Sequence, residues 1–528
     1  MKRYTVIPEP VSFKILSEAS AFMLTDEVSL EGNIETEGCI NELASFIRDV
    51  FYLEVLGVGK NKIRMEIAGE GVSEGYSLKV EKDRVLLRGN DVKGLFYAVQ
   101  TLKQLLFQGQ GSLPELIIED YPRFSVRGFM LDCGRYFFTV EAVKQFIDMM
   151  ALHKLNEFHW HLTEDQGFRC CIESKLLLTE IGSYRSHTNF NSKPHEGYYT
   201  KADMLDVINY AHSKHIKVIP EIDTPGHAKA MLAAYPELAC FPQEFSVSCF
   251  WGVKHDVLCI GKESTFDFIC ELYSELAEIF TDGIIHLGGD EVPTVRWKSC
   301  PECQKRMKQE GMKDAGQLHT YYLDRVASFL REKGIEVRMW NDKPKEKMVD
   351  KSLTWQLWNG GMKPEDAVKE LNNGRKFVIS CAYSYYLDIP YALTNLETCY
   401  NFEPAFDGLT EEGKKNLLGV EACLWTEFVP DMLTADKMTY PRLGAICESA
   451  WSPREKKDYS AFCEKLDSYN ALLGQLGIKA SSLKKCSPKG LTKLCGKLWW
   501  ERRKLCWGAH ENIIADLRVR KKIKDGIK

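Results

Sequence analysis

The chain has 528 residues and a formal net charge of −5, a balance that excludes a general nucleic-acid binder, which would carry a basic face. Apolar residues make up 45% and charged residues 27%, an ordinary globular composition with enough apolar side chains for a large core. No stretch approaches the roughly 18 consecutive apolar residues of a membrane-spanning helix.

The N-terminal run MKRYTVIPEPVSFK has no apolar h-region, so a cytoplasmic location is expected, secretion requiring a leader that has been removed. Residues 1–122 read as a small α+β unit. KIRMEIAG (62–69), YSLKVEK (76–82) and RVLLRG (84–89) alternate with period two, as half-buried strands do. DVKGLFYAVQTLKQLL (91–106) has helical spacing, with Leu95, Val99, Leu102 and Leu106 on one side. Pro122 marks the boundary.

From 123 to about 475 the texture changes. Eight short apolar runs recur: 126–132, 156–162, 216–223, 283–289, 335–340, 353–358, 376–380 and 419–425. Helical patterns separate several of them, at 140–154, 201–215, 263–280 and 317–334. Apolar strands alternating with helices mean a parallel sheet, and eight such units suit a (β/α)8 TIM barrel. A doubly wound sheet is the competing fold, but no GxGxxG or phosphate loop follows any strand. Residues 476–528 form a separate C-terminal extension, expected to be helical. Its basic run RVRKKIK (518–524) is read as a solvated tail.

The eighteen cysteines show no framework spacing and are read as free thiols. Cys300 and Cys303 form a lone CxxC in SCPECQKRM. Without a second CxxC or an HxxxH it is read as a structural pair at a helix start, with a zinc site as the less favoured alternative. No metal and no cofactor is expected.

Active sites of such barrels lie at the C-terminal ends of the strands. Those ends are rich in acids, histidines and tryptophans: HWHLTEDQ after the second strand, EIDTPGH after the third, HLGGDE after the fourth, Trp340, Trp358 and Trp425 closing the fifth, sixth and eighth, with SYYLD after the seventh. The first strand carries Arg127, with Asp132 and Arg135 at its end. Tryptophan faces stack on the C–H faces of pyranose rings, while sugar hydroxyls need directional acids. The pattern therefore favours a neutral glycoside as substrate. His159 and His161 alternate along the second strand; they are expected to fill the barrel interior, with zinc ligation in a metal-dependent hydrolase as the alternative.

Asp290 and Glu291 are adjacent. Glycoside hydrolysis normally uses two carboxylates flanking the bond, about 5–5.5 Å apart for retention and about 6.5–9.5 Å for inversion. Neighbours in sequence spring from nearly the same backbone point and are badly placed for that. If the substrate carries its own nucleophile, such as a 2-acetamido carbonyl, one acid protonates the leaving oxygen and the other stabilises the acetamide.

The stretches VRGFMLDCGRYFF, LNEFHWHLTEDQGFR, VIPEIDTPGHAKA, IIHLGGDEVP, YYLD, LWTE and YPRLGAICESAWSP resemble the family 20 glycoside hydrolases, the β-N-acetylhexosaminidases. The resemblance covers about 123–453 in the family's order, and the N-terminal unit resembles the domain that precedes the barrel there. It implies an exo-acting, retaining enzyme on glycans ending in N-acetylhexosamine. It also implies Glu291 as general acid and base, Asp290 as partner of the acetamido N–H, and Tyr386 as donor to the acetamido oxygen. Trp340, Trp358 and Trp425 would wall the acetamido pocket. Arg127 would bind O3 and O4, with Asp388 and Glu427 near O4 and O6. His227 would reach toward Glu291, backed by Glu164 or Asp165, a choice the sequence leaves open. After Trp340 the loop NDKPKEK departs from the family's commoner acidic-apolar type and is expected to border the site. Two other readings are weighed: release of a disaccharide, as by lacto-N-biosidases, and sugar binding without catalysis.

Overall fold

The computed structural model describes residues 4–55, 59–342, 350–358 and 362–524. The first part is a six-stranded mixed sheet carrying two helices. Its strands are Ser12–Met23, Val28–Glu31, Asn61–Ile67, Tyr76–Val80, Arg84–Gly89 and Ser112–Asp120. The order across the sheet is first, sixth, fourth, fifth, third, second. The three strands and the helix with clear periodicity are where the sequence puts them. The first strand escapes the pattern because its pairing slips twice, between Ile15 and Ser17 and between Ser17 and Ala21, which breaks the in–out alternation. The helix Val92–Gly109 is capped by Asp91, whose side chain accepts from the Gly94 amide at 2.8 Å. Nearly all of its residues are buried, since it lies under both the sheet and the barrel.

The second part is a closed parallel barrel. Strands one to eight are Val126–Asp132, Glu157–His161, Lys217–Glu221, Ile284–His286, Glu336–Trp340, Thr354–Leu357, Phe377–Ile379 and Leu417–Leu424. They neighbour one another in chain order, and strand eight closes on strand one. Their near-continuous burial explains why they read as unbroken apolar runs. Helices Val140–Leu152, Lys201–Ser213, Glu263–Ile279 and Ala315–Glu332 fall on the four helical patterns. Thr139, Thr200 and Asp314 cap three of them.

Strand four is shorter than its apolar run. Gly288 and Gly289 have φ of 69° and 88° and turn the chain out of the sheet immediately after His286. A Cβ at Gly288 would sit 1.9 Å from Asp223 Oδ1. The glycine thus admits the Asp223 carboxylate, which accepts from the Gly289 amide at 2.9 Å.

Arg127 belongs to this structural layer. It is the second residue of strand one, fully buried at the end of the barrel that faces the N-terminal domain. Its guanidinium pairs with Glu74 at 2.7 Å and donates to the Lys154 and Phe124 carbonyls and to Tyr97 Oη. Beside it, Lys154 pairs with buried Asp120 at 2.8 Å, and Trp451 Nε1 donates to the same carboxylate. These groups join the two domains.

The C-terminal segment is helical, with Gly490–Arg502 and Ala509–Lys524 as its longer elements. The second of these is held to the segments after strands three and four: Glu511 pairs with Lys254 at 2.9 Å and Asn512 Oδ1 accepts from the His255 amide at 2.9 Å, both after strand three, while Asp516 pairs with Arg296, after strand four, at 2.8 Å. Most side chains of the basic run 518–524 are turned to solvent, although Val519 is buried. None of the eighteen cysteines is joined in a disulfide. Cys300 does start a helix, Pro301–Gln309, but Cys300 and Cys303 are not a lone pair. Cys240 and Cys259, brought in from the loop after strand three, meet them.

Candidate active site

A cavity of about 530 Å³ opens at the C-terminal ends of the strands. Asp290 and Glu291 stand in its wall with His227, Glu164, Trp358, Tyr386, Asp388, Trp425 and Glu427. Glu291 has φ of 50° and His227 φ of 47°, left-handed conformations that cost non-glycine residues energy and concentrate at functional sites. The Glu291 amide donates to Asp342 at 2.6 Å, which holds the turned backbone in place. The Glu291 side chain remains 44% exposed toward the cavity, whereas Asp290 is 13% exposed.

His227 lies between the acids. Its Nε2 is 3.7 Å from Glu291 and 4.0 Å from Asp290. Its Nδ1 meets Glu164 at 2.9 Å, against 3.9 Å for Asp165. Glu164 is therefore the backing acid, and Asp165 instead accepts from the Lys229 amide at 3.0 Å. Burial alone would push the Glu164 carboxyl up, but the Arg135 and His227 cations outweigh it and hold it well below the usual range. Burial would lower His227, and the surrounding carboxylates, Glu164 and Asp223 first, reverse this and keep it cationic. Asp290 goes the other way. Burial, with the Asp342 and Glu291 charges added, raises it to about 7 despite His227.

The aromatic wall consists of Trp358 stacked on Tyr386 (centroids 6.3 Å, planes 7° apart), with Trp425 set edge-on to Tyr386 at 5.9 Å. Trp340 is one layer deeper, 1% exposed, with its indole N–H donating to Glu221 at 2.7 Å; it backs Trp425 at 5.7 Å and does not line the cavity. His159 and His161 lie in that same interior layer. His159 sits 3.0 Å from both Glu221 and Glu421, and His161 binds Glu221.

Arg135, and not Arg127, is the arginine of the site. It follows the C-terminal end of strand one, lines the cavity, and reaches Asp132 at 3.0 Å, Glu164 at 2.7 Å and Glu427 at 3.5 Å. Arg127 is at the opposite end of the same strand and is occupied with Glu74. Two distinct outcomes are expected. Arg135→Gln should lower kcat/KM by about 10²-fold, since truncating a buried hydrogen-bonded charge typically costs 2–5 kcal/mol. Arg127→Gln should leave the kinetics of the folded protein unchanged and cost about 3–5 kcal/mol of stability by stranding Glu74. Steady-state kinetics beside thermal melts check both.

Residues that the sequence reading did not assign complete the wall. Trp251, Gly252 and Val253 come from the loop after strand three, and Trp500, Arg503, Trp507 and Asn512 from the C-terminal segment. Strand-like pairing of Trp251 with Trp507 closes this side, with the Trp251 amide donating to Cys506 O at 3.1 Å and the Gly508 amide to Trp251 O at 2.8 Å. The tryptophan-rich run LWWERRKLCW was the available signal. Of the loop after Trp340, residues 343–349 lie outside the described residues; Asn341 and Asp342 are placed, with Trp358 Nε1 donating to Asp342 at 3.2 Å.

Several buried polar atoms of the wall have no hydrogen-bond partner among the described residues: Asp290 Oδ1, His227 Nε2, Asp388 Oδ1 and Trp425 Nε1. A buried polar atom left unpaired costs about 1–3 kcal/mol. Their convergence on one cavity marks where a polar ligand makes up the hydrogen bonding. A sugar ring suits this cavity: its C–H faces can lie on the aromatic wall and its hydroxyls can supply the missing hydrogen bonds.

The comparisons agree. The family model described as "Glycosyl hydrolase family 20, catalytic domain" matches residues 124–454, and "Glycosyl hydrolase family 20, domain 2" matches residues 3–121. A β-hexosaminidase of Porphyromonas gingivalis is 40% identical over 427 residues, covering 77% of this chain and 54% of that protein. The chain thus spans about half the length of that relative. Among solved structures, the exo β-N-acetylglucosaminidase of Vibrio harveyi in complex with N-acetylglucosamine superposes with a TM-score of 0.81 at 26% identity, over 92% of this chain and 80% of the other. The N-acetyl-β-hexosaminidase of Streptomyces plicatus gives 0.79 at 30% identity, over 90% and 96%. The chain belongs to glycosyl hydrolase family 20.

Proposed function

We propose that this protein is an exo-acting, retaining β-N-acetylhexosaminidase that uses the substrate's own acetamide as nucleophile. The observation that carries the reading is the placement of Asp290 and Glu291 on consecutive residues beside the Trp358–Tyr386–Trp425 wall. Glu291, exposed to the cavity, gives its proton to the glycosidic oxygen as the acetamido carbonyl oxygen attacks the anomeric carbon and the C–O bond to the leaving group breaks. Asp290 accepts from the acetamido N–H and offsets the positive charge of the oxazolinium. The aromatic wall keeps water from that cation. Glu291, now a carboxylate, takes a proton from the water that opens the ring, and two inversions give net retention.

Three further features support release of a single terminal sugar. Arg135, Asp388 and Glu427 close one side of the cavity. Burial and the Glu427 charge raise Asp388 to about 8, so at neutral pH it offers a sugar hydroxyl both a donor and an acceptor. Arg503 from the C-terminal segment lies over the same corner, where its charge meets Glu427 and Asp388. Residues of the C-terminal segment thus line that side of the cavity, which favours release of a single sugar over the disaccharide-releasing reading.

Aryl β-N-acetylglucosaminide is expected to be cleaved at least about 10³-fold faster than the aryl β-glucoside, because only the former brings an intramolecular nucleophile. Equal rates would refute the substrate-assisted route. With a lacto-N-tetraose-type glycan trimmed to expose terminal N-acetylglucosamine, the expected product is the monosaccharide. A released disaccharide from the untrimmed glycan would favour the other cut, and binding of chitooligosaccharide without turnover would favour a lectin-like role.

A further inference from the structure

Cys240, Cys259, Cys300 and Cys303 converge in the wall behind the loop that carries Trp251. All four are buried, and their sulfurs lie within 4.8 Å of one another. Cys259 Sγ is 3.7 Å from both Cys300 and Cys303, and Cys240 Sγ is 3.8 Å from Cys303. A disulfide needs about 2.05 Å, so these are not bonded pairs. A tetrahedron with metal–sulfur bonds of about 2.3 Å has sulfur–sulfur edges of about 3.8 Å, and these three separations match it. We propose that these four thiolates hold a structural zinc ion.

The backbone is shaped for the cluster. The Cys259 amide donates to Leu238 O at 2.8 Å, and Ala239 bridges Leu258, so the segments bearing Cys240 and Cys259 run side by side. Gly261 then passes so close to the helix start that a Cβ there would sit 2.1 Å from Glu302 C and 2.3 Å from Cys303 N. Pro301 at the first helical turn supplies no N–H and sets the CxxC turn. Soft thiolates in a closed four-sulfur shell select zinc over the oxygen-preferring divalent ions, and a closed shell with no open position marks a structural and not a catalytic ion. The CxxC looked solitary in the sequence because its partners stand 41 to 63 residues upstream on the other side of strand four.

The ion would tie the loop after strand three to the segment after strand four. Those two pieces carry His227 and Trp251 on one side, and Asp290 and Glu291 on the other. The binding energy of such an ion is folding energy, so its loss should loosen the wall on which the C-terminal helix docks.

The test is elemental analysis of the full-length protein purified without added metal or chelator. The expected result is about one zinc per chain. An organomercurial with a metallochromic dye should release it. Cys259→Ser and Cys300→Ser should each lose most of the zinc and melt earlier, while Cys399→Ala, a buried thiol elsewhere, should keep it. Should the serine variants fail to fold, cadmium exchange into the wild-type protein gives a second readout, the thiolate-to-metal charge-transfer band. Wild-type protein without stoichiometric metal, its four thiols free under denaturing titration or paired as disulfides by intact mass, would overturn the proposal.

Discussion

Glu291→Gln is expected to lower kcat on natural glycans by about 10³-fold, the middle of the range typical of lost general acid–base catalysis. Glutamine keeps the shape and the amide anchor to Asp342 but has no proton to give. The loss should depend on the leaving group. With a poorly basic leaving group, such as a dinitrophenolate, departure needs little protonation, and the first step should be nearly spared. The second step still needs a base, so an initial burst followed by slow turnover is expected. Stability should change little, because Glu291 is 44% exposed and makes its one strong local contact through the backbone. A rate unaffected by this substitution, or a loss independent of the leaving group, would sink the assignment.

The two arginines show how far strand pattern alone reaches. Eight apolar runs sufficed for the barrel because a strand buried on both faces is apolar throughout, and each run here coincides with a strand. The family resemblance, and not the strand pattern, led to Arg127 as the sugar-binding arginine, although it stands second in strand one, near the N-terminal end of the barrel. Arg135, three residues past the strand, sits at the C-terminal rim where barrel sites are built. Direction along the strand was the available information, and it points to Arg135. Trp340 is a subtler case. It closes strand five, yet its indole is taken by Glu221 in the interior, so being at a strand end does not guarantee facing the cavity.

Other features of the site were out of reach for physical reasons. The choice between Glu164 and Asp165 turns on about one ångström, 2.9 against 3.9 Å from His227, which depends on side-chain length and backbone direction together. Trp251 and Trp507 meet through a bridge between residues far apart in the chain. The four-cysteine cluster is of the same kind. Non-local contacts leave no periodicity, and a lone CxxC carries little information until its partners are located in space.

Asp290→Asn should separate catalysis from stability. The variant cannot offset the oxazolinium charge, and kcat is expected to fall about 10²–10³-fold, as when one preorganised electrostatic partner is removed. Its effect on folding should have the opposite sign. Asp290 is held at about 7 in the folded protein by burial and by the Asp342 and Glu291 charges, against an ordinary value of 3.8. A raised carboxyl means that ionising it costs folding energy. That cost is absent below the unfolded value, grows between pH 4 and 7, and is complete above pH 7. Asparagine resembles the protonated acid and carries no such cost. Melting curves should therefore nearly coincide at pH 4, with the variant becoming more stable than the wild type as pH rises, by a few kcal/mol at pH 8. The acid limb of the wild-type kcat/KM profile should rise with an apparent pKa near 7, since the ionised form of Asp290 serves the reaction, and the alkaline limb should fall as Glu291 loses the proton it gives. A variant destabilised equally at all pH values would show that Asp290 is a packing residue. A variant whose stability gain grows from pH 4 to pH 7 and then levels off would show that the fold carries an energetic cost for keeping this carboxylate in the wall of the site.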